Sequence, residues 1–242
     1  MKLSIVIPVF NEEKTIGEIL KKVLGVKLPS GLEKEIIIID DGSTDETLNR
    51  IENEKLKIKN DKVKFKILQN EKNLGKGAAV RKGIRNASGD VLVIQDADLE
   101  YNPEDYKKLL KPILENKAKV VYGSRLKELK FRLFGKDKTP MPLHYIANLF
   151  LSFLTNVLYG SSLTDMETGY KMMTKEVYQG LRLESDRFEV EPEITAKILK
   201  KGFQIDEVPI ITKPRSYKEG KKIKAKDALL AIWTLLKYRF AN

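Results

Sequence analysis

The most informative stretch of this chain is VLVIQDADLE, residues 91–100. Its first four residues are apolar and are bounded by polar ones, which predicts a short buried strand. Asp96 and Asp98 follow at the carboxyl end of that strand. Two carboxylates one residue apart repel each other unless a cation lies between them, and Mg²⁺ binds such groups together with phosphate oxygens. The stretch therefore predicts a metal–diphosphate site, with a solvated acidic turn as the alternative interpretation.

Outward from this stretch, apolar β-branched runs alternate with amphipathic segments of helical length. The predicted strands are residues 3–9, 35–39, 63–68, 90–95 and 119–122, and the predicted helices are residues 12–24, 44–53, 74–86 and 103–116. This alternation is typical of βαβ units. We therefore predict an α/β fold with a Rossmann-like, mostly parallel central sheet flanked by helices. Ligands bind at the carboxyl ends of the strands in such sheets.

The alternation weakens after about residue 123. Strand-like segments near 171–173 and 204–211 are interspersed with predicted helices near 144–159, 175–181, 190–201 and 225–240. Residues 143–158 are apolar, but they are fewer than the ~20 that a membrane span needs. Their polar side chains recur every three or four residues, which predicts an amphipathic or buried helix. The chain contains no internal repeat, and we expect a single domain over residues 1–242.

The composition narrows the classes of function. Of the 242 residues, 45 are Lys or Arg and 34 are Asp or Glu, which gives a net charge of +11. Basic proteins of this kind bind phosphates of nucleic acids, nucleotides or lipid headgroups. The chain has no Cys and one His, His144, which excludes disulfides, Cys-bound zinc and a His-rich metal site. The abundance of Lys and Glu is typical of a heat-adapted source.

Acidic residues follow three of the predicted parallel strands. Glu12 comes after the first strand, Asp40 and Asp41 end the second, and Asp96 follows the fourth. Because parallel strands end at the same edge of a sheet, these residues converge on one crevice. A nucleotide site needs acceptors for a base or a ribose, which Asp40 or Asp41 provides, and a metal for the diphosphate. A plain turn with a helix cap is the alternative interpretation of residues 41–43.

A glycine turn, residues 73–77 (Asn-Leu-Gly-Lys-Gly), precedes the third predicted helix. Its spacing differs from that of a P-loop. A helix N-terminus with Lys76 and Arg81 nearby can nevertheless hold a phosphate. A tight connection between strand and helix is an equally good interpretation.

Taken in order, these motifs resemble those of family 2 glycosyltransferases, and more narrowly the branch of dolichyl-phosphate mannose synthases and polyprenyl-phosphate glucosyltransferases. The segments that carry the resemblance are residues 6–13, 38–45, 73–77, 89–98, 123–125 and 217–223. The resemblance implies a GT-A fold, a nucleotide-sugar donor, Mg²⁺ or Mn²⁺ as cofactor and a lipid-phosphate acceptor. It also implies inversion at the anomeric carbon, with residues 1–123 as the nucleotide-sugar half and residues 124–242 as the acceptor half.

The resemblance and the strand ends together nominate the site residues. Those expected to bind the nucleotide sugar are Pro8, Phe10, Glu12, Asp40, Asp41, Lys76 and Asp96. Those expected to bind the metal are Asp96 and Asp98, with Glu100 as a third ligand. Those expected at the acceptor phosphate are Arg125, Arg215 and Lys222. Asp165 is the candidate catalytic base, with a capping role as the alternative, and it joins Asp96 and Asp98 in the catalytic set.

The predicted function is metal-dependent, inverting transfer of a sugar from a donor of GDP-mannose or UDP-glucose type to a polyprenyl or dolichyl phosphate. Two alternatives remain open. One is transfer to a hydroxyl of a glycan or protein, which requires a carboxylate base. The other is a non-catalytic module that binds nucleotide sugars at a membrane surface.

A lipid acceptor requires contact with a membrane. In the predicted helix at 225–240, one face carries an apolar stripe that consists of Leu229, Ile232, Trp233, Leu236 and Phe240. With flanking Lys and Arg, this stripe is typical of an in-plane interfacial helix, although such stripes also pack on their own domain. We expect a peripheral protein on the cytoplasmic face of the membrane, with a small membrane anchor protein as a further candidate partner and no nucleic acid.

Overall fold

The computed structural model describes residues 1–29, 31–58, 63–128, 141–215 and 225–241. Within these ranges seven strands form one sheet: Lys2–Val9 (β1), Glu33–Asp40 (β2), Val63–Gln69 (β3), Val91–Ile94 (β4), Val120–Ser124 (β5), Lys171–Thr174 (β6) and Asp206–Pro209 (β7). The helices are Ile16–Gly25 (α1), Thr47–Leu56 (α2), Lys76–Asn86 (α3), Tyr106–Leu114 (α4), Pro142–Tyr159 (α5), Lys175–Gln179 (α6), Val190–Lys200 (α7) and Ala225–Phe240 (α8).

The strand order is β3-β2-β1-β4-β6-β5-β7. The pairs β1–β2, β1–β4, β2–β3 and β5–β7 are parallel, whereas β6 runs antiparallel to both β4 and β5. The predicted α/β fold with a mostly parallel sheet is therefore confirmed. Strands from both halves of the chain contribute to the same sheet, and β6 of the second half lies between β4 and β5 of the first.

Apolar layers cover both faces of this sheet. On one face α1 and α4 pack against side chains such as Ile5 and Val93, and on the other α3 and α7 pack against Val6 and Ile94. Strands buried on both faces need apolar residues at every position, which is why β1, β2 and β4 have near-continuous apolar sequences. Helices on both faces leave the carboxyl edge of the sheet free for a site.

Helices α5 and α8 pack together beside α7 around a smaller apolar cluster, which includes Leu151, Ala196 and Leu235. No helix in the described part of the chain is both long and apolar enough to cross a membrane. Residues 143–158, predicted to form an amphipathic or buried helix, lie in α5, which buries Asn148, Ser152 and Thr155 on one side.

Candidate active site

The carboxyl ends of β1 and β4 meet at the same edge of the sheet, and Arg215 joins them. Its guanidinium donates to both carboxylate oxygens of Glu12, each at 3.1 Å, and to Oδ2 of Asp98 at 3.1 Å. The backbone N–H of Arg215 also donates to Glu100 at 3.0 Å. Four residues nominated from separate parts of the sequence therefore lie together.

The two acids at the end of β2 have different surroundings. Asp41 accepts hydrogen bonds from Asn70 and from the backbone N–H groups of Leu74 and Gly75, at 2.7–3.0 Å. Its carboxylate thus holds the glycine turn that opens α3. Asp40 accepts one bond from Ser43, and its Oδ2 is buried with no hydrogen-bond partner among the described residues. A buried acceptor without a donor is costly, so Asp40 is the better placed of the two to receive a ligand N–H or hydroxyl.

Pro8 and Phe10, nominated for the nucleotide sugar, lie at the carboxyl end of β1 and directly after it. Pro8 is buried in the strand and pairs in register with Ile39, and the partly exposed Phe10 directly follows the strand. Of the two nominated residues, Phe10 is therefore the one that is accessible to a ligand.

Behind the β4 acids, a buried network fixes the backbone. Gln95 accepts hydrogen bonds from the hydroxyls of Tyr106 and Tyr170 at 2.6 and 2.7 Å, and its amide donates to the carbonyl of Asp96 at 2.8 Å. Leu99 has a positive φ of 63°, which is costly for a branched side chain and turns the backbone sharply after Asp98. The acidic pair is therefore held by packing around it.

Lys76 lies at the opening of α3, where the glycine turn predicted it. Its Nζ is 2.7 Å from Asp96 and 2.9 Å from Glu191 on α7. Although burial disfavours the charged form, the carboxylates of Asp96 and Glu191 raise the pKa of Lys76 well above its ordinary value. The site thus holds a fixed positive charge next to the acidic pair.

Gly169 allows the second half of the chain to approach Asp96, one of the two acids after β4, closely. A Cβ added at Gly169 would collide with the Asp96 carboxylate. Its backbone N–H donates to the Tyr101 hydroxyl at 2.7 Å, which fixes the approach. Only glycine allows residues 165–169 to come this near to the end of β4.

Arg125 and Asp165 form the polar centre of the second half. Two guanidinium nitrogens of Arg125 donate to the two oxygens of Asp165, each at 2.7 Å, and the Arg125 backbone N–H adds a bond of 2.8 Å. Asn148 on α5 donates to the same carboxylate at 2.6 Å. Burial opposes ionisation of Asp165, but the Arg125 guanidinium and these hydrogen bonds lower its pKa below the ordinary value.

This arrangement does not support Asp165 as the catalytic base. A base needs a lone pair within reach of the substrate proton and a pKa near the working pH. Asp165 is fully buried, both its oxygens are engaged, and its pKa is lowered. In this structure the Asp165 carboxylate holds the Arg125 guanidinium in a fixed position.

The acids at the end of β4 fit a divalent cation chemically. Asp96 and Asp98 provide the oxygen ligands that Mg²⁺ and Mn²⁺ prefer. Burial and the neighbouring carboxylates of Asp96 and Glu100 raise the pKa of Asp98 to about 6, which shows that negative charge is crowded there. The described residues contain no group of three Asp, Glu or His arranged to hold a metal. Glu100, nominated as a third ligand, accepts the Arg215 backbone N–H through Oε1, and its role as a ligand stays a prediction.

Glu167 is not among the residues nominated from the sequence, which include Asp165, two residues earlier. Burial raises the pKa of Glu167 to about 7, against the attraction of Lys171. Its Oε1 is buried and has no hydrogen-bond partner in the described part of the chain. No local pattern distinguishes Glu167 from Asp165, because the difference depends on partners distant in sequence. Lys222 and the whole segment 217–223 lie outside the described residues.

Comparisons with known proteins agree with this geometry. Residues 4–182 match the family described as glycosyl transferase family 2. The dolichol-phosphate mannosyltransferase of Pyrococcus furiosus is 29% identical over 244 residues, covering 98% of this chain and 64% of that protein. The UDP-N-acetylglucosamine–dolichyl-phosphate N-acetylglucosaminyltransferase of Methanococcus voltae is 32% identical over 224 residues, covering 87% of this chain and 85% of that protein.

A solved structure extends the comparison to the fold. Glucosyl-3-phosphoglycerate synthase from Mycobacterium tuberculosis, crystallised with Mn²⁺, UDP and phosphoglyceric acid, superimposes with a TM-score of 0.73 at 19% identity. The match covers 100% of this chain and 79% of the other, and it confirms the expected GT-A fold. Since the family matches most of its length, the chain belongs to glycosyl transferase family 2, a family of glycosyltransferases.

Proposed function

We propose that this glycosyltransferase moves a sugar from a nucleotide-sugar donor, of GDP-mannose or UDP-glucose type, to a polyprenyl or dolichyl phosphate, with inversion and with Mg²⁺ or Mn²⁺. The relatives from Pyrococcus and Methanococcus carry names of dolichyl-phosphate sugar transferases. The observation that carries the proposal is the Arg125–Asp165 pair, in which the Asp165 carboxylate is fully engaged and holds the Arg125 guanidinium in a fixed position.

A phosphate acceptor fits this chemistry. The second pKa of a phosphate monoester is about 6, so near pH 7 much of it is already an anionic nucleophile. Such an acceptor needs positive charge to approach an anionic donor, and it needs no base. Arg125 is suited to this task because guanidinium binds phosphate oxygens in a planar, two-pronged geometry. Asp165 and Asn148 hold Arg125 in place for that contact.

On the donor side, each nominated group has a separate task. Asp40 accepts from the base or ribose through its unpartnered oxygen, and Lys76 presents its ammonium to the diphosphate. Arg215, nominated for the acceptor phosphate, contacts Glu12 and Asp98, so in this structure it lies beside the donor-side acids. A divalent ion held by Asp96 and Asp98 would neutralise the charge that develops on the departing β-phosphate. Fixed positive groups placed in advance stabilise that charge without reorganisation.

Transfer to a hydroxyl is the second candidate, and Glu167 favours it. A hydroxyl acceptor needs a carboxylate that takes its proton, and a pKa of about 7 suits that role at neutral pH. Under this alternative, Glu167→Gln abolishes turnover, and neutral acceptors are used as well as phosphates.

The membrane contact of this proposal involves α5 and α8. On α5 the side chains of Leu143, Ile146, Phe150, Phe153 and Val157 form an exposed stripe, named here the α5 stripe. On α8, Leu229, Trp233 and Phe240 are exposed, whereas Ala231, Leu235 and Tyr238 are buried. The predicted stripe of α8 is thus divided, since Ile232 and Leu236 are only partly exposed. We place both exposed faces against the cytoplasmic leaflet.

The test uses the full chain with radiolabelled GDP-mannose or UDP-glucose, Mn²⁺ and vesicles of phosphatidylcholine and phosphatidylglycerol. One set of vesicles contains dolichyl phosphate and the matched set contains dolichol. We expect label in lipid only with dolichyl phosphate, and β-linked product from an α-linked donor. Equal labelling of dolichol would contradict the phosphate acceptor and favour the hydroxyl alternative. No labelling with either donor would reject this donor class.

A further inference from the structure

Glu191, in the first turn of α7, joins two lysines that face different parts of the site. Its Oε1 lies 2.9 Å from Nζ of Lys76, and its Oε2 lies 2.6 Å from Nζ of Lys171. The Glu191 side chain is almost completely buried. A buried carboxylate is expensive unless cations compensate its charge. Here Lys171 donates a hydrogen bond to Oε2, and Lys76 forms an ion pair with Oε1, which has no hydrogen-bond partner among the described residues.

The first lysine leads to the donor side. Lys76 also contacts Asp96 at 2.7 Å, so its ammonium is fixed between the end of β4 and α7. Asp96 is a nominated ligand of the metal. If Asp96 turns its oxygens to a cation, Glu191 remains as the partner that keeps the Lys76 ammonium beside the phosphates.

The second lysine leads to the acceptor side. Lys171 is fully buried, and its ammonium donates to the carbonyl oxygens of Met166 and Thr168. These carbonyls belong to the segment 165–169, which carries Asp165 at one end and Gly169 at the other. Lys171 therefore fixes the segment that orients Arg125 and that packs against Asp96.

We propose that Glu191 is a positioning residue that holds Lys76 and Lys171 together and thereby sets the placement of the donor phosphates relative to the acceptor segment. The proposal rests on the proposed function for its donor side. Charges alternate along a continuous chain of contacts from Asp96 through Lys76 and Glu191 to Lys171, with every link at 2.6–2.9 Å. No residue of this chain of contacts other than Asp96 belongs to the metal motif.

A matched control comes from the opposite edge of the sheet. Glu35 on β2 is also fully buried and paired with a lysine, Lys66 at 3.0 Å, and it accepts from Ser4 and Ser88. It lies near the amino ends of the strands, away from the site. Glu35→Gln therefore removes a buried, lysine-paired carboxylate without touching Lys76 or Lys171.

The experiment compares Glu191→Gln, Glu35→Gln and the unchanged chain in two measurements. The first is calorimetric affinity for UDP and for GDP with Mn²⁺, repeated in a Lys76→Met background. The second is hydrogen exchange of peptides that cover residues 164–171, without nucleotide. We expect Glu191→Gln to weaken nucleotide binding about tenfold and to speed exchange of this segment at least about tenfold, because charge-assisted bonds are lost. Glu35→Gln lowers the Tm and changes neither measurement.

The double-variant cycle separates positioning from general damage. In the Lys76→Met background, Glu191→Gln is expected to cause no further loss of nucleotide affinity. If Glu191→Gln fails to fold, the double variant Glu191→Gln/Lys171→Met is used in the nucleotide measurement. It leaves no unpaired Lys171 ammonium in the core. Unchanged exchange of residues 164–171, or an equal loss of affinity with and without Lys76, overturns the proposal. If the unchanged chain binds neither nucleotide, the proposed function fails and the exchange measurement alone decides.

Discussion

Arg215 lies 3.1 Å from Asp98, so a cation of the chain itself contacts the acid that is nominated to hold a metal. The same guanidinium contacts Glu12 at 3.1 Å. If Asp98 holds a divalent ion, as proposed, Arg215 and that ion would compete for the same carboxylate. Without the Arg215 guanidinium, the carboxylates of Asp98 and Glu12 would lack a positive neighbour. Removing it should therefore favour binding of another cation at these two carboxylates.

We expect Arg215→Gln to bind free Mn²⁺ about three- to tenfold more tightly in the absence of nucleotide, as loss of a partly buried ion pair would predict. Electron paramagnetic resonance of unbound Mn²⁺ measures this directly. Arg81→Gln is the control, because Arg81 pairs with Asp186 and not with the acids at the end of β4. Unchanged or weaker Mn²⁺ binding in Arg215→Gln would show that the two cations do not share Asp98.

Asp165→Asn tests whether this acid orients Arg125 or accepts a proton. The change leaves Arg125 without its partner, so we expect a loss of stability of about 2–4 kcal/mol and a raised acceptor KM. The pH dependence of kcat should keep its shape, since the pKa of Asp165 is already lowered by Arg125. Chemical denaturation and pH–rate profiles provide the measurements. An acid limb that disappears in Asp165→Asn would restore Asp165 as the base.

Glu167 makes the stability of the protein depend on pH. Its pKa of about 7 in the folded chain exceeds the ordinary 4.5, so the folded chain binds this proton more tightly than the unfolded chain. Stability is therefore lost as the pH rises from about 4.5 to above 7. In Glu167→Gln the side-chain amide does not titrate, so this contribution to the pH dependence of stability is absent.

We expect Glu167→Gln to gain about 2 kcal/mol relative to the unchanged chain between pH 5 and pH 8, measured by urea unfolding. Glu104→Gln, at an exposed position in the turn before α4, is the control and should show no such trend. A constant difference between variant and unchanged chain across this pH range would mean that Glu167 titrates normally.

Gly169→Ala introduces a Cβ that collides with the Asp96 carboxylate. We expect Asp96 to be displaced and the affinity for UDP or GDP with Mn²⁺ to fall by about tenfold or more, as calorimetry would show. Gly17→Ala is the matched control, because a Cβ at Gly17 on α1 meets nothing within 4 Å. That change should stabilise the fold by about 0.5–1 kcal/mol and leave nucleotide binding intact. Equal nucleotide binding in both variants would place Asp96 outside the site.

The α5 stripe is expected to contact lipid. Phe150→Ser/Phe153→Ser removes two rings that are 52% and 63% exposed, so the fold should lose little stability. Sedimentation with phosphatidylglycerol vesicles should weaken by at least about tenfold, since each ring buries apolar area in the interface. Leu56→Ser, at an 83% exposed position on α2, is the control for replacing an exposed apolar side chain elsewhere on the protein. Unchanged sedimentation would transfer the membrane contact to α8 or to a partner protein.

The sheet was predictable where local pattern determines structure. Strands β1 to β5 and helices α1 to α4 follow from apolar periodicity, and the acids at their ends converge because the strands are parallel. The place of β6 was not predictable. Its four residues, Lys171–Thr174, carry no signal for antiparallel pairing between β4 and β5, which depends on contacts about 50 to 80 residues away in sequence.

For the site, likewise, the motifs could be predicted from the sequence and the contacts between distant residues could not. The acids after β4 and the lysine of the glycine turn are visible as motifs, and family membership is confirmed. The partners of these residues are not visible. The sequence around Asp165 does not show that its carboxylate is paired with Arg125, which lies 40 residues earlier. Likewise, Glu191 reads as an ordinary first-turn acid, which the helix dipole alone would favour.

Helix α5 acts as a spacer of fixed thickness. Asn148 reaches Asp165 from one side of the helix, while Phe153 is exposed on another, and an α-helix with its side chains is about 10 Å across. If the exposed side rests at the hydrocarbon boundary, Arg125 lies at the depth of the lipid headgroups. A lipid phosphate would then reach Arg125 while its hydrocarbon chain stays in the bilayer. Such an enzyme would select its acceptor by the depth of the phosphate in the membrane, and the length of the lipid hydrocarbon chain would not affect binding.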